Sequence, residues 1–389
     1  MSVSAATRKS IKKYFGLGGM FALGKNGPFT MHDVDDDLFP AVWSFIAEVL
    51  ETEVDLSRLI VEELSIFYSQ KNDCPICIDA HTLLEEAAKA VDDDNAVLSC
   101  QAKAYGETVY MATTMREPIP DTAQLTQLYP DLSEANRAEI ALVLLVYQYM
   151  NRVVRALLGE HVSTAMFGVP RPVATVVESS KGFWLYKKML KPFLSKGLRK
   201  KNKPGISGEL FPKESKGDEF ELPEHLANAE LGGHERARSL ARVYQLVDKL
   251  YYSRINQTGM VSTKMIAILD APENQLPKTI GTNKINWALV HMPTHVFKKQ
   301  MDKTIDQEVA QVLLLVDIMP DALERSYCWR AVNKEYGKEQ ARLLVFWWAL
   351  RCTFVKQAKG LVRTSSIERR GDTENTDTAS LSESFVSED

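Results

Sequence analysis

The fold is best predicted from residues 73–90, whose sequence is DCPICIDAHTLLEEAAKA. Asn72 and Asp73 supply a turn and a cap at its start, and Pro75 is tolerated in a first turn. The Leu, Glu, Ala and Lys residues after His81 are good helix formers. Neighbours in a helix are three or four residues apart, so Cys74, Cys77 and His81 are expected on one face. The stretch therefore predicts a helix that carries two thiols and a base along one line.

The two thiols of this predicted helix are suited to redox chemistry. Cα atoms three residues apart in a helix are separated by roughly 5 Å, which lies inside the range that a disulfide requires. The first turn of a helix also favours negative charge, and this predicts a lowered pKa for a thiol placed there. The spacing of Cys74 and Cys77 therefore indicates a redox-active pair.

The composition restricts the class of protein. The chain has 389 residues, 45% of them apolar, so it can bury a large core. Its net charge of −4 does not point to nucleic acid or to an acidic partner, and no run reaches the eighteen or so apolar residues of a membrane span. Five cysteines are too sparse for a secreted disulfide framework, which favours a reducing compartment. We expect a cytoplasmic protein, with the mitochondrial matrix as the alternative because residues 1–32 are basic and contain no acid.

Helical periodicity runs through most of the chain, and no segment alternates convincingly as a β-strand, which predicts an all-α fold. Pro, Asp and Asn residues mark the connections of a first, antiparallel set of helices that includes the two thiols. The predicted units are a basic N-terminal arm (1–34), a catalytic helical domain (35–165), a basic and charged linker (166–224), a second helical lobe (225–363) and a disordered acidic tail rich in Ser and Thr (364–389).

Two features lie outside the predicted catalytic domain. Residues 181–203 hold nine Lys or Arg and no acid, interleaved with aromatic and aliphatic residues. This segment is either a solvated connector or a weak membrane-surface contact, since apolar anchors beside basic groups suit an anionic interface. The second lobe repeats the apolar pattern of the first at an offset of 200 residues, as Leu144 and Leu344 illustrate. It holds no Cys pair, so it would be a degenerate repeat that has lost the chemistry.

Several kinds of site contain a Cys-x-x-Cys pair. A structural zinc site needs four ligands, and the chain has no second such pair and no His pair at a suitable spacing. A c-type haem attachment needs His directly after the second Cys, where Ile78 stands. Glutaredoxin-like folds place the tetrad after a strand, whereas residues 56–70 are predicted to be helical. A peroxide-reducing or disulfide-exchanging dithiol remains, with two ordinary buried cysteines as the alternative, and neither needs a metal or a cofactor.

A dithiol of this type needs a base and a group that orients the base. His81 lies one turn beyond Cys77 and is predicted to be the base. The orienting acid is expected on the preceding helix, folded back through a turn at 71–73, and that helix offers Glu62 and Glu63 among apolar residues. Periodicity does not choose between the two, but a carboxylate that faces the core would be a functional candidate.

The spacing of an acid, two thiols and a base resembles the signature of the alkylhydroperoxidase D / carboxymuconolactone decarboxylase-like superfamily: Glu62-x11-Cys74-Pro75-Ile76-Cys77-x3-His81. The family has its glutamate twelve residues before the first Cys, which selects Glu62. The segment with Asn151 and Arg152 resembles the last helix of that fold, where these two residues either brace the site or lie on the helix surface. The whole plan resembles long members with a second, cysteine-free half. The resemblance implies an all-helical homo-oligomer, and it does not imply lactone decarboxylation, because that branch lacks the Cys pair.

The resemblance also implies a role for each residue. Cys77 would be the peroxidatic thiol, whose thiolate attacks the O–O bond and becomes a sulfenic acid. Cys74 would condense with it to a disulfide, which an external lipoyl- or thioredoxin-like dithiol reduces. Glu62 and His81 would relay the proton. One departure is Ile76, because some members carry His immediately before the second Cys, and the relay here is expected to be poorer.

The sequence therefore predicts a thiol peroxidase whose substrate is a peroxide and whose partners do not include nucleic acid. One alternative is a disulfide reductase without peroxide preference, which would depend less strictly on the predicted acid and base. The other is a scaffold or regulator in which the helical fold has outlived its chemistry. Cys100, Cys328 and Cys352 lie among apolar residues and are predicted to be core residues.

Overall fold

The computed structural model confirms the all-α prediction. It describes residues 3–15, 27–52, 54–91, 95–114, 119–158, 202–211, 234–258, 261, 333–334 and 336–362. Its α-helices are α1 (Val3–Phe15), α2 (Leu38–Leu50), α3 (Arg58–Lys71), α4 (Pro75–Ala88), α5 (Ala96–Thr114), α6 (Thr122–Leu128), α7 (Glu134–Leu157), α8 (Ile206–Leu210), α9 (His234–Leu250) and α10 (Lys338–Leu350). Shorter helical turns are Thr30–His32 before α2, Tyr251–Ile255 and Asn256–Thr258 after α9, and Arg351–Gln357 and Ala358–Val362 after α10. Within these ranges, the β-structure consists of one isolated bridge between Thr52 and Asn202.

Polar caps in the sequence fix the start of several helices. The Ser57 side chain accepts a hydrogen bond from a backbone amide in the first turn of α3. Both α6 and α7 begin with capping boxes, formed by Asp121 with Gln124 and by Ser133 with Asn136. These side chains satisfy amides that have no partner within their own helix. The long helix α7 is thereby held at its first turn.

The helix of the two thiols begins one residue later than predicted. α4 starts at Pro75, and Cys74 is its N-cap, with φ −111° and ψ 88°. Proline disfavours helical backbone in the residue that precedes it, which explains why Cys74 stays outside the helix. Asp73 has a positive φ of 50°, and this left-handed conformation turns the chain sharply between α3 and α4. The prediction of both thiols within one helix is therefore wrong for Cys74, and the helix ends at Ala88 rather than at residue 90.

Three helices carry the predicted site. α3 and α4 pack along each other as a hairpin, and α7 packs against both. Among the described helices, α7 is the one long and apolar enough to cross a membrane, but 83% of its most apolar stretch is buried inside the protein. It is therefore a core helix.

The basic N-terminal arm includes a packed helix. α1 lies against α2, and Ile11 is completely buried there. The Trp43 indole donates a hydrogen bond of 3.0 Å to the Ser10 hydroxyl, which ties the arm to the core. The first half of the arm therefore belongs to the folded body, while residues 16–26 lie outside the described residues.

The described helices of the predicted second lobe share the hydrophobic core of the predicted catalytic domain. α9 packs on α2 and α10 on α7, and their buried apolar residues form one cluster. A fully buried ion pair joins the two halves, because Arg236 of α9 lies 2.7 Å from Glu139 of α7. The tail 364–389 and residues 181–201 of the basic segment lie outside the described residues.

Two pairs of helices match at the predicted offset of 200 residues. α2 ends at Leu50 and α9 at Leu250, while α7 contains Leu144 and α10 contains Leu344, and all four leucines are buried. α2 packs on α7 as α9 packs on α10. The divergent repeat stays a prediction, because most of the stretch that would correspond to α3 and α4 lies outside the described residues.

Candidate active site

The two predicted redox thiols lie against each other at the start of α4. Cys74 at the N-cap and Cys77 in the first turn have Sγ atoms 2.6 Å apart, and both are free thiols. Their exposed fractions are 1% and 7%. A disulfide bond is about 2.05 Å long, so the two sulfur atoms are close enough to form one when an oxidant removes two electrons and the thiol protons are lost. The structure thus brings the two predicted thiols together.

The acidity of Cys77 differs from the prediction. Burial raises the pKa of its thiol well above the usual range, and the neighbouring Cys74 raises it further. The positive charge of Arg155 acts in the opposite direction without offsetting these effects. The lowered pKa expected of a first-turn thiol is not found, because burying a charge costs more than a helix terminus contributes. Cys77 is therefore protonated at neutral pH and needs a base before it can act as a nucleophile.

A carboxylate from α3 orients the predicted base. Because α3 and α4 form a hairpin, Glu62 and His81 lie side by side, with Oε2 of the acid 2.6 Å from Nδ1 of the imidazole. The Glu62 side chain is 1% exposed and that of His81 is 16% exposed. Glu63 is half-buried and forms contacts elsewhere, with the Ser99 hydroxyl and with the Lys103 ammonium group. The geometry selects Glu62, as the resemblance implied.

A buried arginine that the sequence analysis missed keeps Glu62 charged. Arg58 lies 2.6 Å from Glu62 and 3.0 Å from Glu51, and it also donates to the Leu50 carbonyl. Burial raises the pKa of Glu62, but the charges of Arg58 and His81 together outweigh burial and lower it. At Glu51 burial is the larger effect, and the pKa is raised. The spacing of four residues between Arg58 and Glu62 is typical of helical ion pairs, so the signal was present in the sequence.

A tyrosine from α7 completes the site, and the sequence analysis missed it too. The Tyr147 hydroxyl lies 2.7 Å from Nε2 of His81, and the two rings meet edge to face with centroids 5.0 Å apart. Burial raises the pKa of Tyr147 well above its usual range, so the hydroxyl keeps its proton. In the tautomer that donates a hydrogen bond from Nδ1 to Glu62, Nε2 is the acceptor for the Tyr147 hydroxyl. Both nitrogens of the imidazole therefore have partners.

The side of α7 that faces the site follows one helical stripe. Tyr147, Asn151 and Arg155 are spaced four residues apart and are all buried. Asn151 hydrogen-bonds the Ser69 hydroxyl and a backbone carbonyl of α3, both at 3.4 Å, and so braces α7 against that helix. Arg155, one turn further, acts electrostatically on Cys77. The sequence shows this spacing, but nothing in it distinguishes a stripe that faces a site from an ordinary buried one.

The other residues singled out in the sequence have different surroundings. Arg152 donates a hydrogen bond of 2.9 Å to Gln357, beyond α10. Cys352 is buried, as predicted. Cys100 is exposed, and its assignment to the core is wrong because it lies off the buried stripe of α5. Cys328 lies outside the described residues.

The part of the chain that the structure describes contains no group of three or more His, Cys, Asp or Glu residues that could hold a metal ion. No protein-family model, curated protein or solved structure matches the chain. The chemistry of the site is therefore inferred from its own geometry.

Proposed function

We propose that the protein is a thiol-dependent peroxidase whose site is related to that of the alkylhydroperoxidase D / carboxymuconolactone decarboxylase-like superfamily. The observation that carries this proposal is the α3–α4 hairpin, which joins two touching thiols to a hydrogen-bonded pair of Glu62 and His81. A pair of thiols beside an oriented base is suited to a two-electron oxidation that ends in a disulfide.

The proposed cycle begins with deprotonation of Cys77. The imidazole of His81, oriented by Glu62, accepts the thiol proton, and the thiolate attacks one oxygen of a peroxide ROOH. The O–O bond breaks, the sulfur becomes a sulfenic acid, and the leaving alkoxide takes the proton from the imidazolium to depart as ROH. Cys74 then attacks the sulfenic sulfur, so that a disulfide forms and water leaves. An external dithiol reduces this disulfide and is itself oxidised to a disulfide.

The burial of the two thiols favours a small oxidant. Cys74 and Cys77 are almost fully buried, so a protein disulfide could not reach either sulfur without local opening of the fold. Hydrogen peroxide or a slender alkyl hydroperoxide meets this restriction. The same burial applies to the reductant, which must be slender enough to reach the disulfide or must attack it during local opening of the fold.

One observation favours a second candidate, a scaffold or regulator without enzymatic activity. Burial raises the pKa of Cys77, and a thiol that stays protonated reacts slowly because the thiolate is the nucleophile. In an enzyme the base must overcome this cost of ionisation. In a scaffold the thiol would stay protonated, so the two candidates differ in the reactivity of Cys77 at neutral pH.

Peroxide consumption by the purified protein with a dithiol reductant tests the proposal. The wild type should turn over, whereas Cys77→Ser and Cys74→Ser should not, and Cys74→Ser should accumulate a sulfenic acid that dimedone traps on Cys77. Cys100→Ser is the matched control, because it removes an exposed thiol and should leave turnover unchanged. No turnover of hydrogen peroxide or of an alkyl hydroperoxide by fully reduced protein would reject the peroxidase in favour of the scaffold.

A further inference from the structure

The route of a proton from Cys77 to His81 is not direct. Nδ1 of His81 lies 2.6 Å from Glu62, and Nε2 lies 2.7 Å from the Tyr147 hydroxyl. An imidazole has only these two nitrogens, so the base offers no vacant position to a thiol proton. A proton that reaches Nε2 must pass through the tyrosine hydroxyl or displace it.

Tyr147 contacts the base and belongs to a helix that packs against the helix of the thiol. Cys77 and His81 are four residues apart on α4 and are therefore neighbours on one face of that helix. α7 packs against α4, and its Tyr147 hydroxyl hydrogen-bonds His81 and interacts electrostatically with Cys77. A hydroxyl can accept one proton while it donates another. The tyrosine hydroxyl therefore contacts the base directly and lies within electrostatic range of the thiol.

We propose that the Tyr147 hydroxyl transfers the proton between Cys77 and His81. The hydroxyl gives its own proton to Nε2 as it takes the proton from Sγ, which leaves a thiolate, an imidazolium and an unchanged tyrosine. In the peroxidase cycle the same path runs in reverse after the O–O bond breaks and delivers the proton to the alkoxide. Only this return step rests on the proposed function, because ionisation of the thiol needs no peroxide.

The groups around Tyr147 support a transfer in which the phenol never ionises. Because Tyr147 is buried, its phenolate form would be costly, which favours loss and gain of the proton in a single step. Two charged groups of α3 face the relay. Glu62 stabilises the imidazolium that forms, and Arg58 holds Glu62 in its charged form. Packing of the Tyr147 ring against His81 is the alternative role, and it would survive removal of the hydroxyl.

The rate at which iodoacetamide alkylates Cys77 tests the relay. We would measure it from pH 5 to pH 10 in a Cys74→Ser background and quantify the modified peptide by mass spectrometry. Tyr147→Phe keeps the ring and removes the hydroxyl, and we expect it to slow alkylation at pH 7 by about tenfold to a hundredfold. The rate of this variant should then rise steadily up to pH 10, because burial keeps the pKa of the thiol high when no base assists its ionisation. His81→Gln should cause the same loss and the double variant no more, because both changes interrupt one path.

Tyr149→Phe is the matched control for this experiment. Tyr149 is a buried tyrosine two residues further along α7, and its hydroxyl lies 2.9 Å from Nε2 of His32. It therefore loses the same kind of Tyr–His hydrogen bond outside the site. Its alkylation profile should match that of the parent protein, and circular dichroism should show both Phe variants folded.

The relay is overturned if Tyr147→Phe reproduces the parent profile, if its effect adds to that of His81→Gln, or if Cys77 of the parent protein does not react near pH 7. Failure of the proposed function has a different signature. A protein that consumes no peroxide but whose Cys77 alkylation depends on Tyr147 has the relay without the peroxidase. Peroxide turnover and alkylation that both persist in Tyr147→Phe would keep the peroxidase and reject the relay.

Discussion

A buried histidine on the far side of α7 should make the stability of the protein depend on pH. Nε2 of His32 lies 2.9 Å from the Tyr149 hydroxyl, Nδ1 lies 3.3 Å from the Phe29 carbonyl, and the ring packs 4.5 Å from that of Phe346. Burial lowers the pKa of His32 from 6.5 to about 3. A charged ring would also have to donate at both nitrogens, so the Tyr149 hydroxyl would have to stop donating to it.

The sign and size of the effect follow from these two pKa values. The folded-state pKa lies below the unfolded-state value, so the unfolded chain gains the proton first as the pH falls. The contribution of His32 to stability is complete above pH 6.5 and is lost between pH 6.5 and about 3. At pH 5 an unfolded histidine is charged about thirty times more often than neutral, which lowers the free energy of unfolding by about 2 kcal/mol. Near pH 3 the loss approaches about 4 kcal/mol.

Urea denaturation of the wild type and of His32→Gln at pH 8 and pH 5 measures this contribution. Gln keeps a donor and an acceptor but does not titrate in this range. Between the two pH values the wild type should lose about 2 kcal/mol more than the variant, because the other titrating groups act equally on both proteins. Equal losses would refute the reasoning, since His32 would then have the same pKa in the folded and the unfolded chain.

Three other substitutions test the packing around the site. Arg58→Leu should lower the free energy of unfolding by about 3–5 kcal/mol at pH 7, since it removes the buried guanidinium partner of Glu62 and Glu51, and by less at pH 4 in the same urea assay. Gly360→Ala should lower the melting temperature by several degrees, because an added Cβ would clash with a backbone carbonyl of α5, whereas Gly208→Ala has open space and should not. Ser133→Ala should cost about 1 kcal/mol in chemical denaturation by removing the cap of α7, and Ser133→Asp should restore most of it.

The parts of the site that lie within one hairpin could be predicted from the sequence. Glu62 and His81 flank a turn with clear capping and helix signals, so their approach follows from the chain reversal alone. The start of α4 depends on two opposing effects of one proline. Pro75 disfavours a helical Cys74, and this restriction, rather than the favourable placement of Pro in a first turn, decides where α4 begins.

The remaining features depend on contacts that no local pattern reveals. Tyr147 is 66 residues away from His81 in the chain, and only the packing of α7 on α4 brings them together. The pKa of Cys77 is set by how many helices cover it, which periodicity does not report. Cys100 could have been placed correctly, since the buried positions of α5 repeat at helical spacing and residue 100 does not belong to that series.

The single interior shared by α2, α7, α9 and α10 constrains how the two halves can evolve. The described inward face of the predicted second lobe completes the walls of the interior that α2 and α7 line. Amino-acid substitutions should therefore be tolerated on the outer surface of this lobe and restricted on the face that includes Arg236 and Leu344. A chain truncated after α7 would leave an open apolar surface in water, so the part of the chain that must fold together is larger than the α3–α4 hairpin.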